Sequence, residues 1–166
     1  MLIPALKLQI SARGGTPAER TYYEFWDSFG EYMAQAGSRL RPVKPQIYPW
    51  TSWGLGRTNV TTGAGCRIRD KTASVWVELY GPAAKPLFPQ LLEQRAEIEG
   101  ELGKLTWEEK PGRQSSAITL RREGDVTDRG AWPELHGWLL ENLEKFDRVL
   151  RPRVRELTSV ESGAAP

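Results

Sequence analysis

Two carboxylates mark an apolar run, ASVWVELY (73–80): Asp70 precedes it and Glu78 lies within it. An Asp ahead of a strand and a Glu-x-Lys on it is how restriction-type nucleases hold Mg²⁺ and activate water. Here Tyr80 stands in the lysine's place, and Asp70 falls in a polar turn. A second spacing, Arg129…His136, occurs in certain all-helical ribonucleases, but this chain alternates strands with helices. A helix-surface or helix-capping histidine is the plainer expectation for His136. His136 and Cys66 are the only residues of their types. They leave no disulfide, no zinc ligand set and no histidine pair for a metal. Neither a GxxxxGK[ST] loop nor a GxGxxG turn after a strand is present. The sequence therefore points away from catalysis: no catalytic residue, no metal ligand and no cofactor is expected.

What remains is binding chemistry. WTSWGLGRTNVTTGAG (50–65) sets two tryptophans, glycines and an arginine in the most basic part of the chain. Between Arg39 and Lys71 seven basic residues face Asp70 alone, while 83–109 holds three basic residues and six glutamates. Aromatics beside arginines suit stacking of unpaired bases with guanidinium groups on phosphates. Arg41, Lys44, Trp50, Trp53, Arg57, Arg67 and Arg69 are the expected nucleic-acid-binding residues. The structural alternative has Trp50 packing over a sheet edge and Arg57 ion-paired with Glu78, a carboxylate that needs a partner if buried. Of the seven tryptophans, Trp26, Trp107 and Trp132 fall at core-like positions, and Trp138 borders a stripe. A further basic cluster, RVLRPRVR (148–155), reads as a nucleic-acid-touching tail or a solubilising end.

These residues must be positioned by a modest scaffold. At 166 residues with 39% hydrophobic and 27% charged content, the chain suits one soluble domain. No apolar run approaches membrane-spanning length. MLIPALKLQI lacks the basic n-region of a signal peptide, so a cytoplasmic location is expected. Alternation predicts a short strand over 5–10, and SARGGTPAER reads as a loop. Thr21 is expected to cap a helix reaching Ala36, ended by Gly37. RPVKP (41–45) is extended by its prolines. Strands are expected at 46–54 and 57–62 around a Gly54–Gly56 turn, and at 73–80 with Val75, Val77 and Leu79 on one face. A second helix follows Pro82, Pro86 and Pro89 and stops at Gly103. Residues 105–109 and 116–122 form a hairpin around Lys110-Pro111-Gly112-Arg113. The last helix starts at Trp132-Pro133 and breaks at Pro152; ESGAAP (161–166) reads as disordered. The expected fold class is α+β: one antiparallel sheet of about five strands covered by helices, in the order α-βββ-α-ββ-α. Expected boundaries are a 1–20 arm, a 21–158 domain and a 159–166 tail.

From about Tyr22 to Leu157 an ordered set of motifs resembles the prokaryotic family catalogued as domain of unknown function 4268. The set comprises Phe25-Trp26 with Phe29, Lys44-Pro45, Trp50, Gly56-Arg57, Val77–Tyr80, and Lys85 with Phe88. It continues with Ile98–Gly103 before Leu105-Thr106-Trp107, then Trp132, Trp138, Phe146 and Arg151–Val154. Such domains often sit beside a restriction-type nuclease-like half, which this chain lacks. The resemblance implies an accessory module associated with nucleases and genome defence. A non-catalytic domain that binds nucleic acid or joins a nucleoprotein complex is therefore expected. A protein-interaction scaffold, with a nuclease subunit as partner, is the alternative; a divergent metal-dependent nuclease is the third. No membrane partner is expected.

Overall fold

The computed structural model describes residues 15–159; the expected strand at 5–10 and the ESGAAP tail lie outside them. Helix α1 spans Pro17–Gln35 and begins one turn earlier than the sequence suggests. Thr16 is the cap: its hydroxyl accepts from the Glu19 N–H at 3.1 Å, and the Glu19 carboxylate accepts from the Thr16 N–H at 3.0 Å. This reciprocal pair satisfies two donors that a helix start leaves open. Thr21 lies inside the first turns, its hydroxyl donating to the Pro17 carbonyl. The α1 stripe of Tyr22, Phe25, Trp26, Phe29 and Met33 is buried. Gly37, at φ 67°, turns the chain out.

Strands β1 (Trp50–Arg57), β2 (Val60–Arg67) and β3 (Thr72–Tyr80) follow, then β4 (Thr106–Glu108) and β5 (Ser115–Glu123). All neighbours are antiparallel in the order β1-β2-β3-β5-β4, which is the α+β sheet read from the sequence. The first hairpin differs in detail. Its turn is Thr58-Asn59, with Asn59 at φ 64°, and Gly56 at φ 87° lies within β1 where the register with β2 shifts. Asn tolerates the left-handed region, so it can close the turn and leave Gly56 for the bulge.

The expected single helix at 84–102 is broken. Gly81–Ala84 (α2), a 3₁₀ turn at Lys85–Leu87, Phe88–Leu92 (α3) and Arg95–Leu102 (α4) succeed one another. Pro82, Pro86 and Pro89 each open a new segment, because a proline supplies no N–H to the preceding turn. Helix α5 covers Trp132–Glu156 and continues through Pro152 instead of stopping there. The proline forfeits one hydrogen bond, but Val154 and Leu157 beyond it are buried and retain the turn.

Helix α5 crosses β1, β2 and β3 and packs against α1 and α4. Beneath it lie Ala64 and Cys66 of β2, Val75, Val77 and Leu79 of β3, and Ile118 of β5, all buried. Trp76 and Glu78 point the other way, as period-two alternation requires. That opposite face is an open trough of about 760 Å³, lined by sheet residues together with Pro49, Asp70 and Lys110.

Candidate functional site

Pairing register arranges the open face in rows across the strands. Trp50, Gly65, Ser74 and Arg121 form one row; Ser52, Gly63, Trp76, Thr119 and Thr106 the next; Gly54, Thr61, Glu78, Ala117 and Glu108 the third. The Trp76 indole lies flat on β2. A Cβ on Gly63 would fall 2.5 Å from its ring, and one on Gly65 3.1 Å from it. Those glycines are thus the seat of a tryptophan. Glu78 sits among small neutral neighbours, and neither it nor Arg121 has an ionic partner among the described residues. Trp50 is 52% exposed and stacks on Tyr48, itself 56% exposed, at 6.4 Å between centroids.

A second concavity of about 690 Å³ runs along the outer edge of β1, where the extended 39–46 segment passes. The Trp53 indole N–H donates to the Arg41 carbonyl at 2.7 Å, and Gln46 Nε2 donates to the Trp50 carbonyl at 2.8 Å, pinning that segment. Arg151 reaches in from α5 and donates to the Gly54 carbonyl at 3.2 Å. Arg148 continues the same edge beside Arg39 and Arg151. The two basic stretches at 39–44 and 148–151 therefore meet in space. Arg39, Arg41, Lys44, Arg148 and Arg151 line these two hollows with Asp147 as their sole carboxylate. Asp147 is held by Arg151 at 2.7 Å and lies 4.0 Å from Arg39. Arg41, Lys44 and Arg148 form no ion pair among the described residues, though Arg148 also borders a hollow that Glu101 and Glu156 line.

The seven candidate residues are thus separated. Arg41, Lys44 and Trp53 share the basic edge, whereas Trp50 and Arg67 lie on the open face. Arg69 is exposed in the β2–β3 turn, and Arg67 pairs with Asp70 at 3.2 Å. Arg57 belongs to neither hollow, and it does not pair with Glu78. Its Nη1 donates to the Val154 and Leu157 carbonyls at 2.9 and 2.7 Å, and Nη2 donates to Ser159 Oγ at 2.9 Å. It caps the C-terminus of α5, where unpaired carbonyls gather negative potential. The missed residues are Arg39, Arg148 and Arg151. Their charge was visible in the sequence; their meeting was not.

Asp70 and Glu78 lie toward opposite ends of β3 and do not converge. Among the described residues no group of three His, Cys, Asp or Glu side chains is placed to hold a metal. His136 is no surface residue. It is 4% exposed, ringed by Phe25, Phe29, Tyr32 and Trp132 with centroids 5.1 to 6.3 Å away, and Nε2 has no partner. Burial pulls its pKa down to about 4, which a hydrogen bond to the Phe25 backbone only partly opposes. Arg129, the other half of that spacing, lies over the Trp132 ring and pairs with Glu24. Burial likewise pushes the Cys66 thiol up to about 12, against a small opposing effect of Arg122.

Several family motifs now have physical roles. Lys85 Nζ donates to the Lys110, Arg113 and Ser115 carbonyls, stapling the β4–β5 hairpin to the connection before it. Glu99, within Ile98–Gly103, accepts from the Leu105 N–H and the Trp107 indole at 2.9 and 3.1 Å; those bonds, led by the backbone one, lower its pKa. The chain is thus an α+β domain built on a single antiparallel sheet. Residues 21–154 match the family described as Domain of unknown function (DUF4268), and the chain belongs to that family. No curated protein matches it significantly. Among solved structures, a chain of the one titled "Crystal Structure of the ExsC-ExsE Complex" is similar at 11% identity and TM-score 0.37, covering 78% of this chain and 95% of that one. No helix of the described residues is long and apolar enough to cross a membrane.

Proposed function

We propose that this domain binds nucleic acid without cleaving it, through phosphate contacts along the outer edge of β1, as an accessory part of a nucleoprotein complex. The observation that supports this reading is the meeting of Arg39, Arg41 and Lys44 with Arg148 and Arg151 around one carboxylate. A row of cations with little internal neutralisation releases counterions when it meets a polyphosphate, which drives sequence-independent binding. Trp53 positions this edge, its indole N–H holding the Arg41 carbonyl. The open face is the poorer surface for phosphates, since Glu78 and Glu108 stand on it.

The test is fluorescence anisotropy with labelled single- and double-stranded oligonucleotides between 50 and 300 mM salt. Affinity should fall steeply with salt, and Arg41→Ala, Lys44→Ala and Arg148→Ala should each lower the salt slope by about one unit. Absence of binding at 50 mM salt, or equal competition by polyglutamate, overturns the reading. Incubation with Mg²⁺ or Mn²⁺ should leave the oligonucleotides intact. Metal-dependent cutting abolished by Glu78→Gln would restore the carboxylate-pair nuclease.

A further inference from the structure

The nucleic-acid reading leaves the open sheet face unused. It measures about 20 Å across the four long strands and about 27 Å along β3. One face of an antiparallel sheet can stay solvated, but its side chains are then usually polar. Here Trp50 and Trp76 stand on it, and neither indole N–H has a partner among the described residues; those of Trp26, Trp53, Trp107 and Trp132 do, and that of Trp138, away from this face, does not.

We propose that a second copy of this chain docks here, sheet face to sheet face, about a two-fold axis that runs across the strands at the Trp76 row. The face is bipolar along the strand direction. Glu78 occupies the row on one side of Trp76, beside a Glu108 paired with Lys110 at 3.9 Å. Arg121 occupies the row on the other, beside an Arg67 paired with Asp70 at 3.2 Å, so one unpaired charge of each sign is left at the two ends. An axis across the strands lays the acidic row of each copy over the basic row of the other, so every contact occurs twice, as an isologous interface requires. An axis along the strands would set carboxylate on carboxylate. Size follows the same polarity. Trp50 stands in the basic row, while the opposing row presents Gly54, Thr61 and Ala117, and a Cβ on Gly54 would meet nothing within 4 Å. Each copy thus offers a bulky end and a hollow end, and the two are exchanged by the axis.

Such a contact would cover on the order of 500 Å² per copy, near the threshold of about 1,000 Å² in total for a specific interface. The dimer should accordingly be reversible and concentration-dependent. It also aligns β1 over β1, leaving the two basic edges free on one side.

Sedimentation velocity of the full chain from 1 to 500 µM tests this. Wild type should pass from monomer to dimer within that range. Glu78→Arg and Arg121→Glu should each weaken dimerisation at least tenfold, and combining them should restore it, since the swapped charges again face opposite signs. Trp50→Ala should weaken it as well while leaving oligonucleotide affinity unchanged. Thermal melts within 2 °C of wild type certify each variant as folded; a variant that melts lower is replaced by Arg121→Ala, which removes the charge alone and should weaken dimerisation less than Arg121→Glu does. A chain monomeric at 500 µM overturns the proposal. So does a dimer indifferent to both charge reversals, or a double variant as weak as either single one.

Discussion

Replacing Arg57 by alanine separates a helix cap from a ligand site. The guanidinium makes three hydrogen bonds, two of them to the Val154 and Leu157 carbonyls, and so ties β1 to the C-terminal end of α5. A hydrogen bond involving an ionised group contributes about 1.5–3 kcal/mol net. A cation at a helix C-terminus adds roughly 0.3–1 kcal/mol. Because the Arg57 side chain is half-buried and the carbonyls can turn to water once it is gone, the joint loss should be about 2–4 kcal/mol. For a chain of 166 residues that corresponds to a fall in Tm of roughly 4–16 °C. Arg57→Lys should recover only part of it, because a single ammonium nitrogen on a shorter side chain replaces both the nitrogen that holds the two carbonyls and the one that holds Ser159 Oγ. Amide exchange should accelerate in residues 152–159 and stay unchanged in β3. Since Glu78 is not the partner, a double-mutant cycle between Arg57→Ala and Glu78→Ala should show coupling below about 0.5 kcal/mol. An unchanged melt together with lost oligonucleotide affinity would refute the cap and return Arg57 to the binding surface.

Further outcomes follow from the buried groups and the glycine seat. His136 has a folded pKa near 4 against an unfolded value of 6.5. Its contribution is therefore complete above pH 6.5 and is lost as pH falls toward 4, at a total of about 3 kcal/mol. His136→Phe should flatten the Tm-against-pH curve in that window, and an unflattened curve refutes the assignment. Gly63→Ala forces the Trp76 ring off its seat, so it should cost about 1–3 kcal/mol and shift tryptophan emission; a silent variant means that the indole is not seated there. Cys66, buried with its thiol raised to about 12, should resist thiol reagents until the chain unfolds, and prompt labelling of the native protein would contradict its burial.

Much of the scaffold is legible in the chain alone. The period-two run at 73–80, the helical spacing of Phe25, Trp26, Phe29 and Met33, and the turn residues at 110–113 are local signals, and each becomes the element it implies. The errors are local as well. Each of Thr16 and Thr21 has a glutamate three residues on, but Pro17 at the first helical position and the reciprocal Thr16–Glu19 bonds start the helix at the earlier one, and Asn59 rather than Gly54 closes the first hairpin. Pro152 fails to end α5 because burial of Val154 and Leu157 and the Arg57 cap outweigh one missing hydrogen bond. The site was legible only as composition: basic residues near aromatics. Which arginine is spent on carbonyls, which pairs with Asp70 and which meets Lys44 from a hundred residues away depends on how α5 crosses β1. Local propensity and periodicity are properties of neighbouring residues, and the sequence carries them openly. The partner of a long charged side chain is set by tertiary packing, and only the folded chain decides it.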